Sequence, residues 1–188
     1  MKPHSFLLAS ASPRRLQLLA QIGLVPERSE PAHIDETPHK QELPEAYAKR
    51  MAQQKAEKIA ARFADVVVLA ADTVVYLGRR ILPKAEDEAT ARACLEKLSG
   101  RRHRVMTAVA VAKGKHVKVK SVVTAVRFNR LSKQEIDVYI ASKEWDGKAG
   151  GYAIQGSAAA FIPWINGSYS NVVGLPLAET KVMLDSII

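Results

Sequence analysis

Phe6-Leu7-Leu8-Ala9-Ser10-Ala11-Ser12-Pro13-Arg14-Arg15-Leu16-Gln17-Leu18-Leu19-Ala20-Gln21-Ile22-Gly23 reads as a strand passing directly into a helix. Phe6 to Ala9 is a short apolar run of strand type. Ser12 suits the N-cap, Pro13 the first helical position and Gly23 the C-cap. A helix N-terminus carries about half a positive charge and unpaired N–H groups, so Arg14 and Arg15 stand where the dipole mildly repels them. A phosphate group among them would resolve that conflict; two solvated arginines after a cap are the plainer reading.

The same alternation runs on. After a Pro/Glu/His-rich loop from Pro26 to Pro44, residues Glu45 to Phe63 read as a helix whose apolar stripe holds Ala48, Met51, Ala52, Ile59 and Phe63. Lys55 falls in angle between Ala52 and Ile59, which predicts a lysine facing the core or a cleft unless it snorkels to the surface. Val66-Val67-Val68-Leu69-Ala70-Ala71 is a continuous apolar run of the kind buried on both faces, predicted to end at Asp72-Thr73. A helix over Glu86 to Leu98, strands near 103–112 and 116–128, and a helix opened by the capping box Ser132/Glu135 follow. Strand material near Ala159 to Trp164 and a helix after Pro176 complete an α/β chain with a mixed sheet.

With 188 residues, 47% of them hydrophobic, the chain can bury a full core as one domain with two lobes around a cleft. The net charge of +9 suits a polyanionic partner, but the basic residues are dispersed and only 6% of residues are aromatic. A stacking platform for single strands is therefore poorly supported. The single cysteine excludes an internal disulfide and any CxxC metal site. Cys94 lies on the stripe Ala91, Cys94, Leu95, Leu98 and is read as a core thiol. No apolar run approaches a membrane span and no signal-type cleavage pattern opens the chain, so a cytoplasmic protein without a membrane partner is expected.

Asp72 at the end of a buried strand stands where α/β sheets place their ligands, although a cap or turn role would account for it as well. Asp35 and Glu36 add carboxylates, and Lys84 and Lys148 add cations flanked by turn residues. Carboxylates with several cations and a phosphate-type helix start are the materials of metal-assisted phosphoryl chemistry. No Walker motif, GxSxG elbow, HExxH or clean GxGxxG is present, the five histidines lack zinc-like spacing, and His103 reads as readily as a core residue as a ligand.

Ser10 to Arg15, Ala71-Asp72-Thr73-Val74-Val75, His103-Arg104-Val105-Met106-Thr107, Gly147 to Gly156 and Ile165 to Pro176 together resemble the Maf proteins along essentially the whole chain. The resemblance implies a house-cleaning nucleoside triphosphate pyrophosphatase, with a link to cell-division arrest. It also implies an elongated, twisted mixed sheet flanked by helices, with two lobes around a nucleotide cleft as in inosine triphosphate pyrophosphatases. The Lys148-Ala149-Gly150 and Ile154-Gln155-Gly156 forms resemble the branch acting on dTTP and UTP; the 7-methyl-GTP branch differs in this segment. By the same resemblance Asp72 is the catalytic acid/base and Glu36 with Asp72 holds a divalent metal, Mg²⁺ or Mn²⁺. Ser10, Ser12, Arg14, Arg15, Lys55, Thr73, Lys84 and Gln155 are substrate-binding positions. Thr73, Gln155 and an arginine of the opening motif would set base preference. The family usually has Lys-Pro after the Asp-Thr strand, whereas this chain has Leu82-Pro83-Lys84-Ala85, which makes Lys84 the least secure of the set. A homodimer without specific nucleic-acid binding is implied as well. Two rival readings remain: a regulator of cell division that binds nucleotide or nucleic acid without hydrolysis, and a phosphatase releasing orthophosphate.

Overall fold

The computed structural model describes residues 5–63 and 65–187. Strand β1 (Phe6–Leu8) leads into helix α1 (Pro13–Gln21), β2 (Arg28–Ser29) and α2 (Pro44–Ala60). Strands β3 (Val67–Leu77), β4 (Arg80–Leu82) and β5 (Lys84–Ala85) precede α3 (Glu88–Leu98), the long strands β6 (Arg102–Lys113) and β7 (His116–Arg127), and α4 (Lys133–Ala141). Strand β8 (Lys148–Ala149), a 3-10 turn at Ser157–Phe161, β9 (Trp164–Asn166), α5 (Tyr169–Val173) and α6 (Leu177–Asp185) follow. A seven-stranded sheet runs in the order β2-β1-β3-β6-β7-β9 with β4 paired to β3, and β5-β8 form a separate pair. Parallel pairing of β1 with β2 and β3 beside antiparallel β3/β4 and β7/β9 makes the sheet mixed, as the alternation of periods predicts. No helix among the described residues is long and apolar enough to cross a membrane.

The chain divides into two compact units: Met1–Thr73, Thr107–Val122 and Gly174–Ile188 form one, Val74–Met106 and Val123–Val173 the other. In the first, β1 is buried along its whole length between parallel neighbours, which is why Phe6-Leu7-Leu8 carries no polar alternation. Leu18, Leu19, Met51, Ile59, Leu69 and Leu184 close its core. The second is built on Leu82, Leu95, Leu98, Trp145 and the aromatic group Phe128, Tyr139, Tyr152 and Phe161. Cys94 is a buried thiol of this core.

Four boundaries differ from the sequence expectation, three of them for a local reason. Strand β3 does not end at Asp72-Thr73 but continues to Leu77. Thr73-Val74-Val75-Tyr76-Leu77 is β-branched and aromatic, and β4 supplies an antiparallel partner at Val75↔Leu82. The residues before Trp164 are a 3-10 turn rather than a strand. The alanines at 158–160 have little strand preference, and the Glu144 carboxylate accepts the Ser157 N–H at 2.7 Å to start the turn. Helix α3 begins at Glu88 because Asp87 caps it, accepting the Thr90 N–H at 2.7 Å. Helix α2 spans Pro44–Ala60, three residues short of Phe63 at its C-terminal end. The capping box of Ser132 and Glu135 forms as expected.

His103 settles as a core residue. The residue is 2% exposed, its Nε2 pairs with the Tyr152 hydroxyl at 2.8 Å, and its Nδ1 has no partner among the described residues. Burial pushes its pKa down from 6.5 to about 4. Between those values the unfolded chain binds the proton that the folded one refuses, so this histidine withdraws stability as pH falls below 6.5 and is neutral above it. Unfolding in denaturant at pH 4.5 and 7 is expected to show a loss of about 2–3 kcal/mol that His103→Gln largely removes. An acid loss of the same size in the variant would assign it to other groups.

Candidate active site

Of the residues expected at the site from the sequence, all but Lys84 and Gln155 belong to the first unit. Strand β3 places Asp72 at 7% exposure, where an ionised carboxylate needs a partner. That partner is the stripe lysine of α2: Lys55 Nζ lies 2.6 Å from Asp72 Oδ1 and 2.8 Å from Glu36 Oε1. The expectation that Lys55 faces inward holds, since its side chain is 13% exposed. Burial raises the Asp72 pKa, opposed by Lys55 and then Arg15, with Glu36 adding a smaller upward push. Asp72 Oδ2 makes no hydrogen bond with a described residue.

The turn between β1 and α1 is built differently from a simple cap. Ser12 occupies the N-cap position and Pro13 the next, but the Ser12 side chain makes no capping bond. Ser10 Oγ instead accepts the Ser12 N–H at 3.1 Å and Arg15 Nη1 at 3.0 Å. Arg15 also donates Nε to the Gly174 carbonyl at 2.9 Å and Nη2 to Thr73 Oγ1 at 3.3 Å. Thr73 in turn pairs with the fully buried Thr107 hydroxyl at 2.8 Å. Gly174, at φ +131°, brings its carbonyl against Arg15, and an added Cβ there would sit 3.6 Å from Thr73 Oγ1. Arg15 is thus a tie between three chain segments, its own turn, β3 and the Gly174 loop, as well as a cation, and its enclosure lowers its pKa. Arg14 makes no hydrogen bond or ion pair with a described residue and is the arginine left available at the helix start. The two are not equivalent, contrary to their joint reading from the sequence.

Lys84 and Gln155 belong to the second unit. Lys84 is exposed on β5, opposite Ala149 of β8. The displaced Pro83 leaves this strand well anchored, since the Pro83 carbonyl accepts the Gly150 N–H at 3.0 Å. Gly150 is held to its type by φ +67° and by Val75, whose side chain would meet an added Cβ at 2.8 Å. Lys148 bonds the Asp146 carbonyl. Gln155 is exposed, in a segment pinned by Ala153 N–H on the Tyr139 hydroxyl and Ser157 N–H on Glu144. Asp35 turns to the Thr37 N–H at 2.9 Å and serves its own loop.

Sequence reasoning missed Thr107, Tyr47 and Arg50. The Tyr47 hydroxyl donates to the Glu36 carbonyl at 2.8 Å, and burial with the charges of Asp72 and Glu36 raises its pKa. Thr107 lay inside a quoted motif, and Tyr47 sits one helical face from Lys55; neither carries a sequence signal that separates it from packing.

No group of three or more His, Cys, Asp or Glu among the described residues could hold a metal ion. Two carboxylates on one ammonium nevertheless fit a divalent cation that brings phosphate oxygens and water as its remaining ligands.

The Maf-like protein family profile matches residues 5–187. The chain is 60% identical over 180 residues to the dTTP/UTP pyrophosphatase of Rhodospirillum rubrum, covering 95% of this chain and 85% of that one. It is 60% identical over 183 residues to the protein of the same name from Zymomonas mobilis, covering 96% and 90%, and 54% identical over 184 residues to that of Caulobacter vibrioides, covering 97% and 95%. Among solved structures, the Staphylococcus aureus Ham1 protein matches 66% of this chain and 71% of its own, with a TM-score of 0.46 and 17% identity.

The difference between the two arginines is measurable. Arg15→Ala removes three hydrogen bonds from an enclosed group and is expected to cost about 2 kcal/mol or more, whereas Arg14→Ala should stay within about 0.5 kcal/mol of wild type. Chemical denaturation of both variants checks this; equal effects would show that Arg15 is no more a structural tie than Arg14.

Proposed function

This chain belongs to the Maf-like protein family, and on that premise we propose that it hydrolyses dTTP and UTP between the α- and β-phosphates, giving the nucleoside monophosphate and pyrophosphate. The observation that carries the reading is the Asp72 carboxylate, held by Lys55 beside Glu36 in a chain whose near relatives bear that activity in their names. A cytoplasmic homodimer that clears free nucleotides, with no nucleic-acid or membrane partner, is the setting this proposal adopts.

Asp72 is the base. Lys55 fixes Oδ1 and favours the ionised form, and Oδ2 is available to a water. That water attacks the α-phosphorus, its proton passes to Asp72, and the bond to the bridging oxygen breaks as pyrophosphate leaves. Glu36 and Asp72 would hold a divalent cation, Mg²⁺ or Mn²⁺, which neutralises charge on the phosphate oxygens. Arg14 at the start of α1, where the helix dipole also favours an anion, and Lys84 are assigned to the phosphates. Ser10, Ser12 and Arg15 keep the turn at that helix start in shape. Thr73 and the amide of Gln155 are assigned to base preference, since an amide offers both a donor and an acceptor to a pyrimidine edge.

Product identity tests the reading directly. With dTTP or UTP and Mg²⁺, pyrophosphate is expected and orthophosphate is not; orthophosphate as the primary product would overturn it. Asp72→Asn should lower kcat by about a hundredfold or more while leaving nucleotide binding within about tenfold. Retention of more than about a tenth of wild-type kcat would remove Asp72 from the role of base.

A further inference from the structure

Glu36 lies on a stretch, residues 31–39, that forms neither helix nor strand, yet its carboxylate meets Lys55 at 2.8 Å. Something must hold that loop, because a side chain on an irregular segment is otherwise free to leave. Glu42, just before α2, accepts the His39 N–H at 2.9 Å, and the other holding groups come from α2. Tyr47, 8% exposed, donates its hydroxyl to the Glu36 carbonyl at 2.8 Å. Arg50, one turn later, donates Nη2 to the Thr37 carbonyl at 3.1 Å. The same guanidinium grips the Glu42 carboxylate through Nε at 2.7 Å and Nη2 at 2.6 Å, and lies 5.5 Å from the centre of the Tyr47 ring. Lys58 donates to the His33 carbonyl. At 100° per residue, positions 47, 50, 55 and 58 fall within an arc of roughly 140° on the helix.

One helix face therefore does two things. It presents the ammonium that Asp72 and Glu36 share, and it fixes by main-chain hydrogen bonds the loop from which Glu36 projects. The fork of Arg50 on Glu42 is well formed for this purpose, since a bidentate guanidinium–carboxylate pair fixes direction as well as distance. It holds the Glu42 pKa down at about 2, so the grip persists across the neutral range.

We infer that Tyr47 is a positioning residue for Glu36, supported by the Arg50–Glu42 pair, and that it sets the affinity of the two-carboxylate site for a divalent cation. The inference rests on the proposed role of Glu36 as a cation ligand. Tyr47 touches neither substrate nor cation; it acts through the Glu36 main chain. A tyrosine that only packs would tolerate loss of its hydroxyl without effect on cation binding.

The test is a double-mutant cycle on Mn²⁺ binding, read by water-proton relaxation with the non-hydrolysable α,β-imido analogue of dTTP, so that no turnover enters the measurement. Tyr47→Phe is expected to raise the Mn²⁺ dissociation constant about three- to tenfold, the size expected of one lost hydrogen bond. Its kcat at saturating Mg²⁺ should recover to within about twofold of wild type. Glu36→Gln should weaken Mn²⁺ at least as much, and adding Tyr47→Phe to Glu36→Gln should change little further, because the hydroxyl acts only through that carboxylate. Arg50→Lys, which keeps the charge but loses the fork, should weaken Mn²⁺ in the same direction and serves if Tyr47→Phe folds poorly. Weakening by Glu36→Gln with none by Tyr47→Phe or Arg50→Lys overturns the positioning role. Fully additive effects in the double variant overturn it too. No weakening by Glu36→Gln overturns the cation role of Glu36 itself.

Discussion

An ionised carboxylate inside an apolar strand is the constraint around which the first unit is arranged. Asp72 follows Leu69, Ala70 and Ala71 and precedes Val74 and Val75, all buried, and nothing on its own strand can answer its charge. Lys55 does so from another element, and that requires α2 to lie at one fixed depth and rotation. Ala48, Ala52 and Ala56, fully buried on the helix, let it approach closely, while Met51 and Ile59 fix its rotation. Breaking a buried pair by removing one partner costs about 3–5 kcal/mol, a large part of an ordinary domain's stability. The ion pair thus couples the packing of α2 to the electrostatics of the site.

Arg15 shows the complementary case, a charge enclosed without direct contact to a carboxylate. It is satisfied by a carbonyl, two hydroxyls and the more distant charge of Asp72. The fork geometry lets one side chain reach Ser10, Thr73 and Gly174 at once, which a lysine cannot do. A consequence is that the shape of the helix start is set by Arg15, while Arg14 stays without a hydrogen bond to a described residue. The helix dipole, which flags both residues equally, is silent on which arginine would serve an anion.

Much of this was open to sequence reasoning because it follows from period and cap. The strand–turn–helix opening, the inward angle of Lys55, the core position of Cys94 and the Ser132/Glu135 capping box all rest on local spacing. What escaped rests on partners far away in the chain. Nothing within 66–73 says that Asp72 is a mid-strand residue, because that depends on β4 returning to pair with Val75. Tyr47 and Arg50 look like any helix residues until the loop they grip is folded back on them. The turn at Ser157–Phe161 depends on Glu144, thirteen residues earlier than the Ser157 N–H it accepts. Convergence of Glu36, Lys55 and Asp72 was likewise beyond sequence spacing; the resemblance to Maf proteins supplied their roles, and the fold brings them into contact.

The direction of the Asp72 pKa fits the proposed role of this residue as a base. A carboxyl whose folded pKa is raised above its ordinary 3.8 adds stability when protonated and loses it as pH rises through the folded value. In its ionised form Asp72 therefore works against the fold even with Lys55 and Arg15 opposing its burial. The apolar residues around it would pack the same strand without that cost, so stability alone does not account for a carboxylate here. A base for water, in contrast, gains from the same arrangement: burial makes the carboxylate more basic than one on the surface, while the lysine favours its ionised form. Glu36 sharpens the argument, since a second carboxylate on the same ammonium raises the Asp72 pKa further and leaves the cluster of Lys55 with two acids one positive charge short of balance. Packing alone has no use for that surplus of negative charge, whereas the divalent cation of the proposed reaction would offset it.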